Sequence, residues 1–281
     1  MAKLLYGKPV ADAILAEAAE RASRLRERGI VPALAFVRTG SSLSSGQYER
    51  QALEACDAAH VEAYSAFMPD SSRLTTTLTN INRDDSIHGV IFLRPMPDEA
   101  AEDYLRNNLD PRKDIDGVTL SSLASIFVGH GRAFVPCPAK AVLELLKYYN
   151  VPLAGRRVLL VGCSLYMGKP LSMLLLRNEA TVTLCSPSAP DLCELCRGSD
   201  IIVSGVGVPG TIGADCLREG QTVLDVGNSL IGRGHAGDLD EQAALAAGAD
   251  VAPVTGGVDV VSYAMLALHT VQAAEVLHGL L

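Results

Sequence analysis

A glycine-containing turn in the second half of the chain carries the clearest chemistry. Gly162, Cys163, Ser164 and Gly168 follow the apolar run RRVLLV and begin a stretch with helical periodicity. A strand–turn–helix corner of this kind can hold a dinucleotide pyrophosphate, because unpaired N–H groups at the helix N-terminus point outward. The spacing is GxSxxxG rather than GxGxxG, so the turn could also be a structural corner that needs glycine for its backbone.

The segment after the next strand should distinguish NAD from NADP. In dinucleotide-binding folds an Asp or Glu there binds the NAD ribose, whereas an Arg accommodates the NADP phosphate. Here the segment is Cys185-Ser186-Pro187-Ser188, with neither an acid nor a base, and Cys163 supplies no guanidinium from the glycine turn. We expect Ser186 to lie at the ribose, NAD to be permitted, and no site for the 2′-phosphate of NADP to be evident.

Cysteine and histidine spacing argues against metal and disulfide chemistry. The seven cysteines are an odd number scattered along the chain, which favours a reducing, cytoplasmic setting over a disulfide framework. Cys193 and Cys196 form a CxxC with no second pair, and two small residues on one helix face is the simpler interpretation. The six histidines show no HxH or HExxH spacing, so we expect no metal site.

Composition excludes several classes of protein. The net charge of −8 over 281 residues argues against a nucleic-acid backbone as partner. No continuous apolar run reaches the roughly 18–20 residues needed to cross a bilayer, so we expect no membrane span. The N-terminal segment lacks the pattern of a signal peptide. A hydrophobic content of 48% with 20% charged residues is typical of a globular protein with real cores.

Alternating strands and helices must position these residues. In the first half, we predict strands at 33–37, 61–67 and 89–93 and helices at 9–29, 47–60 and 71–83. After a connecting helix at 138–149, we predict strands at 156–162, 181–185, 200–206, 222–227 and 250–254. The helices between them are predicted at 168–177, 190–197, 213–218 and 240–247, and a last helix at 262–280.

This alternation predicts a two-domain α/β fold with parallel sheets. The first α/β domain should comprise residues 1–137 together with the last helix, 262–281. The second should be a Rossmann-type nucleotide-binding domain of residues 138–261.

A series of short motifs occurs in the order found in one enzyme family. In chain order they are Ser45-x-x-Tyr48 with Ala55-Cys56, Gly89 followed by Pro95-x-Pro97, Lys113-Asp114-Ile115-Asp116-Gly117, Pro136-Cys137, Val161-Gly162-x-Ser164-x-x-x-Gly168-x-Pro170, Gly205-x-Gly207-x-Pro209-Gly210, Asp225-Val226-Gly227, Gly237-Asp238-Leu239-Asp240 and Pro253-Val254-x-Gly256-Gly257-Val258. With these motifs the chain resembles the bifunctional methylenetetrahydrofolate dehydrogenase/cyclohydrolases along nearly its whole length.

The resemblance implies an oxidoreductase of one-carbon metabolism. A reduced folate would bind between the two domains of a homodimeric enzyme and pass a hydride from its methylene carbon to NAD or NADP. Tyr48 would stack on the folate and Asp116 would hydrogen-bond to the pterin. Without the resemblance, Tyr48 could be a half-buried helix residue and Asp116 a turn residue before Gly117.

Further site residues follow from the same resemblance. On the substrate side it implies Ser45, Pro95, Pro97 and Gly257 as additional contacts. On the cofactor side it implies Gly162, Cys163, Ser164, Gly168, Ser186, Gly207, Asp225 and Gly227.

Two departures from the family pattern concern the water-addition step. The lysine of the family's Tyr-x-x-x-Lys handles protons in that step, and Ala52 stands at its position. The glutamine that tunes this lysine is replaced by Leu93, which is followed by Arg94. Alanine cannot transfer a proton, and arginine stays protonated and is a poor general base. Glu54 should face away, about 200° round the helix from Ala52. We therefore predict that the cyclohydrolase activity is lost.

Other departures lie near the nicotinamide. Where the family continues Gly-Pro-Met-Thr, this chain has Asp259-Val260-Val261-Ser262 followed by Tyr263, and a family lysine is replaced by Val208. Hydride transfer depends chiefly on the cofactor and its alignment, so it does not need that lysine. The first hypothesis is thus a monofunctional NAD(P)-dependent methylenetetrahydrofolate dehydrogenase. The alternative is a folate-binding homologue without redox activity, either a pseudoenzyme or a repurposed scaffold of specialised metabolism.

Overall fold

A computed structural model of the chain describes residues 2–39, 43–68, 71–94, 96, 98–131, 133–227, 229–231 and 234–281. Side chains are described for the same residues except 39, 43–45, 71, 229–231 and 234–235. The chain forms two compact units. The first unit comprises residues 12–137 and 263–281, and the second comprises residues 1–11 and 138–262.

A parallel sheet of three strands lies at the centre of the first unit. The strands β1 (Ala33–Thr39), β2 (Glu62–Met68) and β3 (Gly89–Leu93) have the order β2-β1-β3. Phe36 in the middle strand is in register with Ser65 and Ile91. All five residues of β3 are buried, as expected of a continuous apolar run in a parallel sheet. The helices are α1 (Lys8–Arg26), α2 (Leu43–Ala58), α3 (Leu74–Arg83), α4 (Glu99–Asn108) and α5 (Leu120–Val128).

The sequence analysis missed two of these helices, α4 and α5. Each begins at a residue whose side chain caps the helix: Asp98 accepts from the N–H of Ala101, and Thr119 accepts from the N–H of Ser122. Helix α5 ends at Gly129, whose φ of 84° lies in the left-handed region. Asp or Thr before a helical stretch and Gly after it are sequence signals that could have located both helices.

The second unit is a doubly wound parallel sheet. Its five strands have the order β10-β7-β6-β4-β5, and the predicted Rossmann-type fold is confirmed. The elements are α6 (Cys137–Tyr148), β4 (Arg157–Val161), α7 (Gly168–Arg177), β5 (Thr181–Cys185), α8 (Leu192–Arg197), β6 (Ile201–Ser204), β7 (Thr222–Asp225), β8 (Ser229–Ile231), β9 (Gly234–Ala236), α9 (Glu241–Ala246) and β10 (Asp250–Ala252). The last helix, α10 (Val258–Leu277), begins in this unit, and its residues from 263 onward belong to the first unit. The helix predicted at 213–218 is only a short 3-10 turn, Ala214–Cys216, and the antiparallel pair β8–β9 was not predicted.

The first eleven residues belong to the second unit, whereas the sequence analysis assigned them to the first domain. Leu4 pairs with Val251 in a parallel bridge, and the N–H of Leu5 donates to the carbonyl of Val251 over 2.7 Å. The N–H of Gly7 donates to the carbonyl of Gly256, also over 2.7 Å. The chain therefore begins at the edge of the nucleotide-binding sheet, next to β10.

Among the described residues, the long helix α10 has the length of a membrane span, although polar and charged residues interrupt its apolar sequence. By length and mean hydropathy, 1.4 over its apolar window, this 20-residue helix is sufficient to cross a bilayer. However, 72% of that window is buried inside the protein. Burial within the fold thus accounts for its apolar residues.

Candidate active site

Tyr48 stands in a cluster of polar and aromatic groups in the first unit. Helix α2 carries Tyr48, and its ring meets the ring of Tyr263 from α10 edge to face, with centroids 5.1 Å apart. Burial raises the pKa of Tyr48 well above its usual value, and the neighbouring Asp116 and Cys137 raise it further. The hydroxyl therefore stays neutral, and the ring offers a half-buried face to a planar ligand.

Asp116 lies in the turn before Gly117, where the chain needs glycine. The φ of Gly117 is 64°, and a Cβ there would stand 2.4 Å from the carbonyl oxygen of Phe134. Burial raises the pKa of Asp116 to about 6, while the nearby Arg94 and the backbone N–H of Cys137 act in the opposite direction. Its side chain remains 13% exposed, so the carboxylate is partly desolvated but still accessible.

The two preceding charged residues of this motif hold the turn. The ammonium of Lys113 donates to the carbonyls of Ile81 and Asp84 over 2.7 and 2.6 Å. The carboxylate of Asp114 is fully buried and accepts from the backbone of Val118 and Thr119 and from the hydroxyl of Ser122. Asp116 is thus the carboxylate of the motif left with an exposed fraction for binding.

Arg94 joins this cluster, which the sequence analysis did not foresee. Its Nε donates to Glu102 of α4 over 3.0 Å, and its Nη1 lies 3.5 Å from Oδ2 of Asp116. Nη1 also contacts the carbonyl oxygen of Phe92 at 3.3 Å. Because these contacts are separated by up to 22 positions, no local spacing could have indicated them.

The two positions linked to the water-addition step are apolar and buried. Ala52 follows Tyr48 by one helical turn on α2 and is 0% exposed, while Leu93 at the end of β3 is 4% exposed. Glu54 is exposed, in agreement with its expected direction. Neither Ala52 nor Leu93 can donate or accept a proton through its side chain.

The other substrate-side residues are placed less fully. The side chain of Ser45, in α2, and the whole of Pro95 and Pro97 lie outside the described residues. Gly257 is in the second unit, where a Cβ would stand 2.0 Å from the carbonyl oxygen of Pro253. Its role there is close backbone packing before α10.

The glycine turn of the second unit has the geometry expected of a phosphate-binding corner. Gly162 has a φ of 109°. A Cβ on Gly168 would stand 1.9 Å from the carbonyl oxygen of Gly162. Ser164 accepts from the N–H of Met167 over 3.1 Å and stabilises the turn, while Cys163 is exposed. A dinucleotide pyrophosphate fits such a turn, because the missing Cβ atoms let the backbone approach the phosphates.

Ser186 lies just beyond β5, at the carboxyl end of the sheet. It is exposed, and its hydroxyl lies 2.8 Å from that of Ser188. Two neutral hydroxyls at this position can bind a ribose, but they supply no charge for a phosphate.

Asp225 and Asp238 lock two loops of the second unit together. Asp225 accepts from the N–H groups of Gly227, Asp238 and Leu239. Asp238 accepts from Ser204 and from three successive N–H groups, those of Val206, Gly207 and Val208. A Cβ on Gly227 would stand 2.1 Å from Asp238, and one on Gly237 would stand 1.9 Å from Asp225.

This arrangement gives Asp225, which the resemblance places at the cofactor, a structural part as well. Its side chain is 3% exposed and serves the chain's own amides, and burial raises its pKa to about 6. The carboxylate therefore stabilises the loops from beneath. Gly207 and Gly227 take part through their backbone N–H groups, which donate to Asp238 and Asp225 respectively.

A cysteine pair also departs from expectation. Cys193 and Cys216 form a disulfide across 23 positions, so the cysteines are not all free thiols as the sequence analysis expected. Cys196, the second cysteine of the CxxC, is buried and unbonded. Within the described part of the chain, Cys193, Asp215 and Cys216 form one group of potential metal ligands, but the two cysteines could act as ligands only after the disulfide is reduced. The two cysteines of the CxxC therefore do not act as a pair: Cys193 bonds to Cys216, and Cys196 is a buried free thiol.

Comparison with known proteins identifies the family. The model of the tetrahydrofolate dehydrogenase/cyclohydrolase catalytic domain matches residues 5–116, and that of its NAD(P)-binding domain matches residues 136–278. The bifunctional protein FolD of Carboxydothermus hydrogenoformans is 38% identical over 288 residues and that of Clostridium kluyveri 34% over 279, covering 100% and 98% of both chains respectively.

Solved structures agree with the sequence matches. The bifunctional FolD enzyme of Campylobacter jejuni superposes with a TM-score of 0.92 at 29% identity, covering 98% of this chain and 99% of that one. A 5,10-methylenetetrahydrofolate dehydrogenase of the silkworm Bombyx mori gives 0.89 at 32% identity, covering 99% and 100%. The resemblance drawn from the motifs is confirmed: the chain belongs to the tetrahydrofolate dehydrogenase/cyclohydrolase family.

Proposed function

We propose that the protein oxidises 5,10-methylenetetrahydrofolate to 5,10-methenyltetrahydrofolate with NAD or NADP and has lost the cyclohydrolase step. The observation that supports this most directly is the pair Ala52 and Leu93, both buried and apolar. Hydrolysis of the methenyl group needs a residue that moves protons, and these two side chains cannot do so. Oxidation of the methylene group makes no such demand.

Binding of the folate would rest on two residues of the first unit. The ring of Tyr48 would stack on the pterin, and the carboxylate of Asp116 would accept hydrogen bonds from its N–H groups. The substrate's C–H bond breaks with both electrons leaving as hydride, which reduces the nicotinamide and leaves a cationic methenyl carbon. This step neither takes nor releases a proton from a side chain, so a neutral Tyr48 is adequate.

Binding of the cofactor would rest on the second unit. Gly162 and Gly168 let the backbone approach the pyrophosphate, and Ser164 keeps the turn in shape. When bound, the nicotinamide supplies the hydride acceptor. Because Ser186 and Ser188 carry no charge, we expect NAD to bind more tightly than NADP.

We further propose that the protein is a homodimer. Strand β2 lies at an edge of its sheet, and its Tyr64 and Phe67 are 51% and 58% exposed. An exposed apolar edge strand can pair with a second copy of itself. The mass in solution by light scattering should be twice that of the chain, and Phe67→Glu should shift it toward the monomer. Phe127→Glu, at an exposed position on α5, is the matched control.

One assay tests the enzymatic proposal. Purified protein is mixed with 5,10-methylenetetrahydrofolate and either NAD or NADP, and absorbance is followed in the reduced-cofactor and methenyl bands. We expect both bands to rise with NAD. The methenyl band should then decay no faster than it does spontaneously, without enzyme. Faster decay to 10-formyltetrahydrofolate would contradict the loss of the cyclohydrolase.

Asp259 favours the alternative, a folate-binding homologue without redox activity. It is the second residue of α10, at a position where the family has glycine. Burial raises its pKa, while the backbone N–H groups of Val260, Gly256 and Gly257 act in the opposite direction. A carboxyl group at this position adds bulk to a segment expected near the nicotinamide. Folate binding without any binding of NAD or NADP, measured by calorimetry, would favour this function over the dehydrogenase.

A further inference from the structure

Loss of the family lysine at Ala52 does not leave the folate cluster without a cation. Arg94, which stands directly after Leu93, brings a guanidinium to Asp116, and its side chain is only 24% exposed. The cluster thus combines a permanent positive charge with two carboxylates, Asp116 and Glu102. An arginine so enclosed is not a solvated surface residue.

Glu102 holds the arginine in place through a different nitrogen from the one that lies near Asp116. The Nε of Arg94 lies 3.0 Å from Oε1 of Glu102, and Arg106 contacts the other oxygen of Glu102 at 3.3 Å. Glu102 and Asp116 are 16% and 13% exposed, so water screens these charges only in part. With Nε bound to Glu102 and Nη1 near Asp116, the guanidinium has little freedom to rotate away.

We propose that Arg94 is a positioning residue for the substrate, which keeps the Asp116 carboxylate charged and oriented to accept the pterin's N–H groups. This inference rests on the proposed binding of a reduced folate by Asp116. Arg94 would determine whether the Asp116 carboxylate is in the charged form that binds the pterin.

The charges that face Asp116 explain why such a residue is needed. Burial favours the neutral carboxyl, and the nearby carboxylates of Asp114 and Glu102 favour it as well. Arg94 opposes these effects most strongly, followed by the N–H of Cys137. With Arg94 present, the pKa of Asp116 is about 6, which leaves most of the group charged at pH 7. Removal of the guanidinium would therefore raise this pKa toward or above neutrality.

Protonation would change what the group can bind. A charged carboxylate accepts hydrogen bonds at both oxygens, whereas a neutral carboxyl keeps one good acceptor and presents an O–H donor instead. The pterin edge that faces Asp116 in the proposed complex offers N–H donors, so the neutral form would lose one of its two bonds. The loss should appear in substrate affinity and KM rather than in kcat, because Arg94 contacts no reacting atom in this arrangement.

The experiment compares Arg94→Gln and Arg94→Lys with a matched control, Arg112→Gln. Arg112 also pairs with an aspartate of the first unit, Asp110, at 2.6 Å, but its side chain is 62% exposed. Binding of tetrahydrofolate is measured by calorimetry between pH 5.5 and 8.5. In parallel, carbon-13 NMR follows the titration of the Asp116 carboxyl without ligand, with Asp116→Asn to assign its signal.

We expect Arg94→Gln to weaken folate binding about twofold at pH 7 and about eightfold at pH 5.5, which corresponds to a shift of about one unit in the Asp116 titration when only the charged carboxylate binds. Affinity should recover as the pH is raised, and Arg94→Lys should restore it in part. Arg112→Gln should match the unmodified protein. Superimposable titrations of Asp116 in the unmodified protein and in Arg94→Gln would overturn the inference. If the unmodified protein binds no folate, the proposed function fails, while the ligand-free titration still decides whether Arg94 keeps Asp116 charged.

Discussion

The ring of Tyr48 packs against the ring of Tyr263 at an interplanar angle of 66°. The two tyrosines come from α2 and α10, more than 200 positions apart, and Tyr263 directly follows the altered segment Asp259–Ser262. Tyr263 is 8% exposed, so its ring is a fixed wall rather than a mobile surface group. The ring proposed to stack on the folate is therefore held at one edge by a residue next to the region where the chain departs from its family.

Tyr263→Ala should weaken folate binding by loosening Tyr48. Edge-to-face aromatic pairs contribute about 0.5–1.5 kcal/mol, which predicts a Kd for tetrahydrofolate raised roughly two- to tenfold. Tyr263→Phe keeps the ring and should bind as the unmodified protein does. Calorimetry on both variants measures the difference, and equal affinities for the Ala and Phe variants would show that the ring contact does not matter for binding.

Under the proposed loss of the cyclohydrolase step, Ala52→Lys alone should not supply that activity. The position is fully buried, so a new amine would be desolvated and its pKa lowered, and Leu93 supplies no hydrogen-bonding partner to tune it. We expect no 10-formyltetrahydrofolate above the spontaneous rate, together with a lower Tm. Ala52→Met, which adds similar length without charge, separates the packing effect from the electrostatic one. Formyl product from the single Lys variant would refute the prediction.

Acid should destabilise the protein through the buried His88. Its Nδ1 accepts from the N–H of Ala33 over 3.2 Å, and its Nε2 lies 3.3 Å from Nε2 of His278. Burial and then the Coulombic effect of His278 lower the pKa of His88 from 6.5 to about 4, with further effects from Lys113, Asp84 and Asp85. Between these two values the unfolded chain binds a proton that the folded chain excludes. The free energy of unfolding should thus be highest above pH 6.5 and fall toward pH 4, by at most about 3 kcal/mol from this group.

His88→Asn isolates this contribution, because its amide oxygen can replace Nδ1 as the acceptor. Asp116 and Asp225 have raised pKa values and act with the opposite sign, but they are common to both proteins. Urea unfolding from pH 7.5 to 4 should give a flatter pH dependence for His88→Asn. The exposed His130→Asn serves as control, and parallel curves for all three proteins would exclude His88 as the source.

Loss of the Cys193–Cys216 disulfide should lower stability only under oxidising conditions. The bond closes a loop across 23 positions, and chain-entropy arguments assign about 3 kcal/mol to a loop of that size. Cys193→Ser should therefore melt at a lower temperature than the unmodified protein without reductant. Addition of a thiol reductant should remove the difference. Cys163→Ser, at an exposed unbonded cysteine, should melt normally in both buffers.

The strands and the glycine turn were predictable because their causes are local. Continuous apolar runs such as Val158–Val161 need burial on both faces, and Gly162 marks the corner that follows. Helices α4 and α5 were missed because each is short and only two of its residues are buried, so the periodic pattern is weak. Their capping residues Asp98 and Thr119 were the better indicators.

The site could be predicted in its residue types but not in its contacts. Tyr48 and Asp116 stand in recognisable motifs, whereas the approach of Arg94 to Asp116 depends on how β3, α4 and the following turn pack. The pairing of Cys193 with Cys216 has the same origin, since the nearer Cys196 points into a buried cluster instead. Asp225 also shows contacts that the motif does not reveal: this residue, expected at the ligand, accepts hydrogen bonds from the backbone N–H groups of two loops.

The contacts of residues 3–7 with the second unit's sheet affect how the protein folds. Lys3 bonds to Asp250 across 247 positions, so during synthesis the N-terminal segment emerges long before its partner strand exists. Contacts of such sequence separation form late, and until then both the segment and the sheet edge are open to wrong pairing. The backbone at Val251 and Gly256 therefore gains its partners only when Leu5 and Gly7 bond to it.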